Sequence, residues 1–200
     1  MKRNNNKAIH LRFSVITLLI TLAALSRLIP HPPNIAPVAG MALFGSAYYS
    51  KKYWAYLIPI ITMWISDLIL NNVVYAQYFD SFVWFYSGSL FTYAAFALIV
   101  LMGSITLKKK KVGSVLFSAL GASVIFFIVS NFGVWLTSPM YAKSWEGFTT
   151  CYIVAIPFMQ NTLIGDLCYT AVLFGLFEMS MSWFPSLQSR QKIYEQTAEK

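Results

Sequence analysis

Charged residues are scarce in this sequence. Asp, Glu, Lys and Arg make up only 11% of its 200 residues, whereas hydrophobic residues make up 58%. A soluble domain carries roughly a quarter charged residues, so this balance excludes a water-soluble enzyme and a disordered chain. Cysteine is scarce too: Cys151 and Cys168 are the only two, which is too few for the disulfide framework of a small secreted protein. The composition instead predicts a protein whose solvent is lipid.

Motifs for binding nucleotides, zinc and dinucleotides are absent as well. The sequence has no P-loop, no His/Cys spacing typical of zinc and no glycine-rich dinucleotide turn. We therefore predict a protein that is not an enzyme, with no catalytic residue, no metal site and no cofactor. Two alternatives stay open at this point. One is a membrane enzyme that acts on lipid or isoprenoid substrates through Asp67 and Asp166, and the other is a membrane assembly or scaffold protein without a small ligand.

Long uncharged runs give the number of membrane spans. Residues 81–107 form a run of 27 uncharged positions and residues 112–142 a run of 31. About 20 apolar residues in a helix cross the core of a bilayer. With the shorter apolar stretches, these runs predict an all-α integral membrane protein with six transmembrane helices. The predicted spans are 11–29, 36–50, 53–71, 83–106, 112–136 and 150–178, which form a transmembrane domain over residues 1–178, followed by a C-terminal tail over residues 179–200.

Lysine and arginine are distributed unevenly between the predicted loops. With the N-terminus inside, 13 of the 15 are cytoplasmic, and only Arg27 and Lys143 lie near the outer side. Cytoplasmic loops of membrane proteins are enriched in these residues, so we predict that both termini and the tail are cytoplasmic. The formal net charge of +8 then reflects topology and not nucleic-acid binding. The predicted location is the cell (inner or plasma) membrane, which the chain crosses several times.

A proline-rich loop follows the first predicted span at its outer end. Four prolines within residues 30–37 deny the backbone helical hydrogen bonds and stiffen the loop. A stiff loop loses little entropy when it contacts a ligand. We therefore predict Arg27, His31 and Asn34 as substrate-binding residues. The guanidinium of Arg27 suits a carboxylate or a phosphate, although an arginine here can also anchor the helix at the interface.

Two carboxylates, Asp67 and Asp166, lie within predicted spans. An ionisable group in a membrane costs several kcal/mol unless it faces protein, water or a partner. We predict structural roles for both. Asp67 caps a neighbouring helix or loop or pairs with Arg27, and Asp166 forms a hydrogen bond across helices with Asn161, Gln160 or a serine. Contact with a ligand or an ion is the alternative.

Amides and aromatic side chains collect at the predicted outer ends of the last three spans. Interfacial belts account for tryptophan and tyrosine at helix ends in any membrane protein, but not for amides at depth. Aromatic walls with a few placed polar groups are typical of a pocket for a small, flat or amphipathic molecule. We predict such a pocket at the outer face, beneath residues 138–150. Its predicted substrate-binding residues are Asn131, Trp135, Tyr152, Gln160 and Asn161.

Several short motifs occur in an order that resembles a known type of transporter. They are Pro30–Asn34 (PHPPN), Ala39–Gly45 (AGMALFG), Ser66–Leu68 (SDL), Asn131–Trp135 (NFGVW) and Asn161–Asp166 (NTLIGD). In this order they resemble an uncharacterised bacterial family of transport-type proteins. That family is similar to the S components, the substrate-binding subunits, of energy-coupling factor (ECF) transporters. The resemblance covers about residues 10–178.

The resemblance implies a function and a set of partners. S components have six membrane helices with both ends inside, and they capture a vitamin or related trace nutrient at the outer side. A separate transmembrane T component and two cytoplasmic ATPases supply the energy. S components often dock through alanines spaced four apart on the first helix. This sequence departs from that pattern, because its first helix has no such alanine pair, and the stripe of Ser14, Thr17, Thr21 and Ala24 is the candidate substitute.

Overall fold

The computed structural model describes residues 2–188, with side chains from residue 7 onwards. Over that range the chain contains six α-helices and no β-strand. The helices are α1 (Lys2–Leu25), α2 (Val38–Tyr48), α3 (Lys52–Ile69), α4 (Ser89–Thr106), α5 (Val112–Thr137) and α6 (Trp145–Trp183). Short 3₁₀ turns at Ser26–Leu28, Ala76–Tyr78 and Pro185–Leu187 join or end them, and a π-helical turn at Leu70–Val74 prolongs α3. The all-α prediction is therefore confirmed.

Five of the six helices, all except α2, are long and apolar enough to cross a membrane. Their outward-facing side chains are apolar as well. Leu18, Leu90, Phe117 and Ile153 each expose more than half of their surface. Such a surface is unfavourable in water and is solvated by lipid chains. The protein is therefore a multi-pass membrane protein, as its composition predicted.

Helix α2 differs from the others because it is short and lies at the centre of the bundle. Its 11 residues extend about 16 Å, which is roughly half of a bilayer core. It packs against each of the other five helices, and residues 38–45 are all buried. Small residues allow this close packing. At Gly40, for example, a Cβ would lie only 3.0 Å from the Cβ of Tyr169. The predicted second span, 36–50, is thus a helix, but the six-span count itself stays a prediction.

Arg12 marks one end of the bundle. Its guanidinium, in the middle of α1, donates to the carbonyl of Tyr48 at the end of α2 and to that of Leu187 beyond α6. The ammonium of Lys110, between α4 and α5, lies 5.6 Å from the ring of Tyr48. This end, which also carries Lys51 at the start of α3, is termed the basic end below.

The opposite end contains the proline-rich loop and is termed the proline-loop end. Arg27, just beyond α1, pairs there with Asp67 in α3, and Tyr93 near the start of α4 donates to the same carboxylate. At this end Cys151, early in α6, also donates from its thiol to the carbonyl of Asn131, late in α5. Successive helices therefore run in opposite directions between the two ends.

Helix α6 is much longer than a membrane span. Its 39 residues extend about 58 Å, and it continues past the predicted domain boundary at residue 178 to Trp183. Ser144 caps its first turn by accepting a hydrogen bond from the backbone N–H of Gly147. Beyond Trp183, the turn at Pro185–Leu187 folds back against α1. Residues 189–200 of the predicted tail lie outside the described residues.

Reporter fusions test which end of the bundle faces the cytoplasm. Fusions after Lys111 and at Lys200 are expected to give a cytoplasmic signal, and a fusion between Ser138 and Thr149 an external one. The reason is that this orientation keeps 13 of the 15 basic residues inside. Alkaline phosphatase and fluorescent-protein reporters at each site provide the measurement. A cytoplasmic signal from the fusion at 138–149 would show that the predicted orientation is wrong.

Candidate functional site

A cavity of about 250 Å³ lies between α5 and α6, at the proline-loop end. The proline-rich loop contributes one residue, Asn34, and the two helices contribute the rest. This is the region where the sequence predicted a pocket, and two of the predicted substrate-binding residues, Asn34 and Asn131, line it. The lining residues are Asn34, Phe126, Phe127, Ser130, Asn131, Val134, Ala155, Phe158, Met159 and Thr162.

The proline-rich loop is held against the cavity by specific contacts. Asn34 adopts a left-handed conformation with φ of 65°, which asparagine tolerates better than most residues. The side-chain amide of Asn161 in α6 donates to the carbonyl of Pro33 at 2.9 Å. At Gly165 a Cβ would lie 3.1 Å from the backbone N of Ala36, so the glycine lets the loop lie directly on α6. The predicted residue Asn161 thus supports the loop and does not itself line the cavity.

The polar atoms in the cavity are mainly hydrogen-bond acceptors. Ser130 and Thr162 each donate their hydroxyl hydrogen to a carbonyl one turn earlier in their own helix, at 2.6 Å and 3.3 Å. Asn131 donates in the same way to the carbonyl of Phe127 at 2.8 Å. What these side chains offer a ligand is chiefly oxygen lone pairs, although the amides of Asn34 and Asn131 can also donate. The lining residues are all uncharged.

Trp135 and Tyr152, two further predicted residues, lie beside the cavity and do not line it. The indole N–H of Trp135 donates to the carbonyl of Ala142 at 3.0 Å, and the hydroxyl of Tyr152 donates to the carbonyl of Ile128 at 2.7 Å. The ring of Phe148 lies 5.3 Å from Trp135 and 4.7 Å from Tyr152. This aromatic cluster ties the loop between α5 and α6 to both helices, so it supports the wall of the cavity from outside.

Arg27 is engaged with protein groups. Its guanidinium pairs with Asp67 at 2.7 Å and donates to the hydroxyl of Ser66 at 2.7 Å. Tyr93 donates to the other carboxylate oxygen of Asp67 at 2.9 Å. Only 15% of the Arg27 side chain and 6% of the Asp67 side chain are exposed. Pairing with Arg27 was one of the possibilities predicted for Asp67 and is confirmed, and the guanidinium does not line the cavity.

Tyr86, in the loop between α3 and α4, lies within electrostatic range of this ion pair. Tyr86 donates from its hydroxyl to that of Thr92 at 2.9 Å. Burial and, to a smaller extent, the Asp67 carboxylate raise the pKa of Tyr86. The phenol therefore keeps its proton, and the hydrogen bond to Thr92, across the range in which membrane proteins work.

His31 and Gln160 complete the set of predicted residues, and neither lines the cavity. Both side chains are exposed. A ring nitrogen of His31, Nδ1, lies 3.0 Å from the carbonyl of Pro32. Their part in substrate binding stays a prediction.

Asp166 stabilises the central helix. Its carboxylate accepts a hydrogen bond from Ser123 in α5 at 2.6 Å and another from the backbone N–H of Ala39 in the first turn of α2. The side chain is buried, with 3% of the residue exposed. A carboxylate at a helix N-terminus satisfies unpaired N–H groups and interacts favourably with the helix dipole. The serine contact across helices was one of the predicted possibilities and is confirmed.

Ser130 and Thr162 were not predicted from the sequence, although weak signals for both exist. Ser130 directly precedes the predicted Asn131, and Thr162 lies one helical turn before Asp166.

The two carboxylates have separate partners. Asp67 contacts Arg27 and Tyr93, whereas Asp166 contacts Ser123 and the backbone of Ala39. In the described part of the chain, no group of three or more His, Cys, Asp or Glu side chains is arranged to hold a metal ion.

Comparison with known proteins gives a family but no activity. The profile of a family described as "Family of unknown function (DUF6580)" matches residues 7–187. No curated protein and no solved structure matches the chain.

Proposed function

Since this chain belongs to the DUF6580 family of unknown function, we propose its role from the site: a membrane subunit that captures a small nutrient molecule at its proline-loop end. The observation that carries the proposal is the cavity of about 250 Å³ between α5, α6 and the proline-rich loop. Cavities lined by aromatic side chains and a few placed polar groups are typical ligand sites. The predicted orientation puts this cavity at the outer face, where a nutrient arrives.

The lining of the cavity favours one class of ligand. No charged side chain lines it, and Arg27 is already paired with Asp67. An uncharged ligand is therefore favoured over a carboxylate or a phosphate ester. Acceptor oxygens at Ser130, Asn131 and Thr162 favour a molecule with hydrogen-bond donors, and phenylalanine rings favour a flat, partly apolar body. The volume lies below the roughly 300–1,000 Å³ of pockets for drug-sized ligands, so the molecule is small.

An ECF-type module is the energy source we propose, with a transmembrane T component and cytoplasmic ATPases as partners. The small-residue stripe on α1 gives this docking little support. Thr17 and Tyr49 share a hydrogen bond of 2.9 Å between their hydroxyls, and Ala24 is only 1% exposed. Much of the stripe therefore packs inside the bundle, and Ser14 alone of its four residues is exposed. A T component would need another surface of this protein.

Mass spectrometry of gently purified protein tests for a captured molecule. We expect one small, uncharged compound to copurify with the wild type and to be lost from Ala155→Phe, because the new ring occupies the cavity. Ala171→Phe is the matched control, since Ala171 lies on an exposed face of the same helix. Retention of the same compound by Ala155→Phe would contradict the proposed site.

Asn131 is expected to contact the captured compound directly. Asn131→Ala should weaken its binding about ten- to a hundredfold, on the order of 1–3 kcal/mol, because the compound loses the hydrogen bond with this half-buried amide. Titration of the purified protein with the identified compound provides the measurement. Trp183→Ala, at the opposite end of α6 with 69% of the residue exposed, should leave the affinity unchanged. Equal affinities for all three proteins would place the compound elsewhere.

A further inference from the structure

A second cavity, of about 350 Å³, lies at the basic end of the bundle. It is a groove between the middle of α1, from Ile9 to Ile16, and the segment that joins α2 to α3. The capture site proposed above does not include it, and its lining differs in kind. Its wall contains three basic side chains, those of His10, Arg12 and Lys51, and no acidic one.

Positive charge converges on this groove from three parts of the chain. Arg12 comes from α1 and Lys51 precedes α3. Lys110 comes from the turn between α4 and α5, and its ammonium lies 5.6 Å from the ring of Tyr48, a lining residue. Glu178 accepts a hydrogen bond from the hydroxyl of Tyr48 at 2.6 Å and interacts electrostatically with Arg12, but it does not line the groove. The groove is therefore an electropositive site.

The two cations of the groove differ in what they can offer a ligand. Arg12 already donates to the carbonyls of Tyr48 and Leu187, so it contributes mainly its charge. Lys51 is exposed, and its ammonium lies 5.9 Å from the ring of Tyr53. A lysine ammonium has three donor hydrogens, and this one stands at the rim of the groove, so it is the group best placed to bind an anion.

The rest of the groove is apolar. Ile9, Phe13 and Ile16 follow one side of α1, and Trp54 faces them from α3, its ring 5.2 Å from that of Phe13. Ile9 exposes 55% of its surface. An apolar wall makes no favourable contact with a soluble anion, whereas a lipid has both a charged headgroup and an apolar chain that can pack against it. Basic pockets between membrane helices bind anionic headgroups for this reason.

We propose that the groove binds an anionic phospholipid of the leaflet at the basic end. Its phosphate lies at the rim beside Lys51 and in the field of Arg12 and Lys110. One acyl chain follows the wall formed by Ile9 and Phe13. The bound lipid lies against both α1 and α3, two helices that also pack directly on each other.

Lipid titration of the full-length protein in a nonionic detergent tests this proposal. Native mass spectrometry counts bound phosphatidylglycerol, and phosphatidylcholine with the same acyl chains is the comparison. We expect tighter binding of phosphatidylglycerol, and Lys51→Gln should weaken it about fivefold, since one basic residue near a membrane surface contributes about that factor. Lys52→Gln is the matched control, because Lys52 is also exposed but does not line the groove.

A second pair of variants tests the apolar wall. Ile9→Ser should weaken binding of phosphatidylglycerol, and Leu11→Ser, on an exposed position of α1 outside the groove, should not. Equal binding of the two lipids, or equal effects of Lys51→Gln and Lys52→Gln, would overturn the proposal. Inorganic phosphate that displaces phosphatidylglycerol at millimolar concentration would identify a soluble anion as the ligand and overturn it too. None of these variants changes the cavity between α5 and α6.

Discussion

Arg27→Ala is expected to lower the free energy of unfolding by about 3 kcal/mol. The substitution leaves the Asp67 carboxylate buried with Tyr93 as its remaining partner, because Arg27 provides its ion pair at 2.7 Å. Breaking a buried pair by removing one partner costs roughly 3–5 kcal/mol, since the other charge stays desolvated. The residual exposure of the pair, 15% and 6%, puts the expected value at the lower limit of this range. Unfolding in mixed micelles with increasing SDS provides the measurement.

The double variant Arg27→Met, Asp67→Leu separates a lost charge partner from lost packing. Both charges are absent from it, so it should recover most of the stability that Arg27→Ala loses. Asp67→Ala alone should be destabilised like Arg27→Ala, because it leaves the guanidinium with Ser66 only. A double variant less stable than either single variant would show that the pair itself contributes net stability, contrary to this expectation.

Gly133→Ala is expected to destabilise the protein by about 2 kcal/mol. A Cβ at Gly133 in α5 would lie only 2.5 Å from the Cβ of Phe91 in α4, so the two helices would have to move apart. Overpacking of this kind typically costs about 1–3 kcal/mol. Thermal unfolding in detergent, followed by helical circular dichroism, provides the measurement.

Gly175→Ala is the matched control and should have the opposite sign. Gly175 lies within α6 on an exposed face, and a Cβ there meets no atom within 4 Å. Alanine in a helix interior is favoured over glycine by about 0.5–1 kcal/mol, so a small gain in stability is expected. If both alanines had the same effect, the close approach of α4 and α5 at Gly133 would not limit stability.

Hydropathy alone was enough to locate most of the helices. The uncharged runs 81–107 and 112–142 contain α4 and α5, since a membrane helix must be apolar around its whole circumference. For the same reason hydropathy could not show that α2 is shorter than the other helices and lies at the centre of the bundle. Residues 36–50 are equally apolar, but their burial comes from five neighbouring helices rather than from lipid. Helix α2 begins directly after Pro37 and ends at Tyr48, and hydropathy alone does not show where these two ends lie.

The candidate site was predicted in part, and the limit has a physical cause. The pairing of Arg27 with Asp67 followed from two opposite charges at the same depth, which lipid does not tolerate separately. Asn131 followed from the cost of amides at depth in a membrane, and Asn34 followed from the stiffness of the proline-rich loop. Phe126 and Phe127 did not follow, because a uniformly apolar helix carries no pattern that shows its rotation about its own axis. Which phenylalanine faces a cavity and which faces lipid is decided by packing.

The position of α2 has a consequence for the order in which the protein is made. This helix emerges second from the ribosome, but its first turn is capped by Asp166 and its Gly40 packs on Tyr169, both from the last helix. A segment of about 16 Å cannot reach across the bilayer alone, and its unpaired N–H groups find no water there. The centre of the molecule is therefore completed only when α6 has been synthesised and inserted, so a ribosome that stalls within α5 leaves α2 without the carboxylate that caps its first turn and without the residues that pack on Gly40.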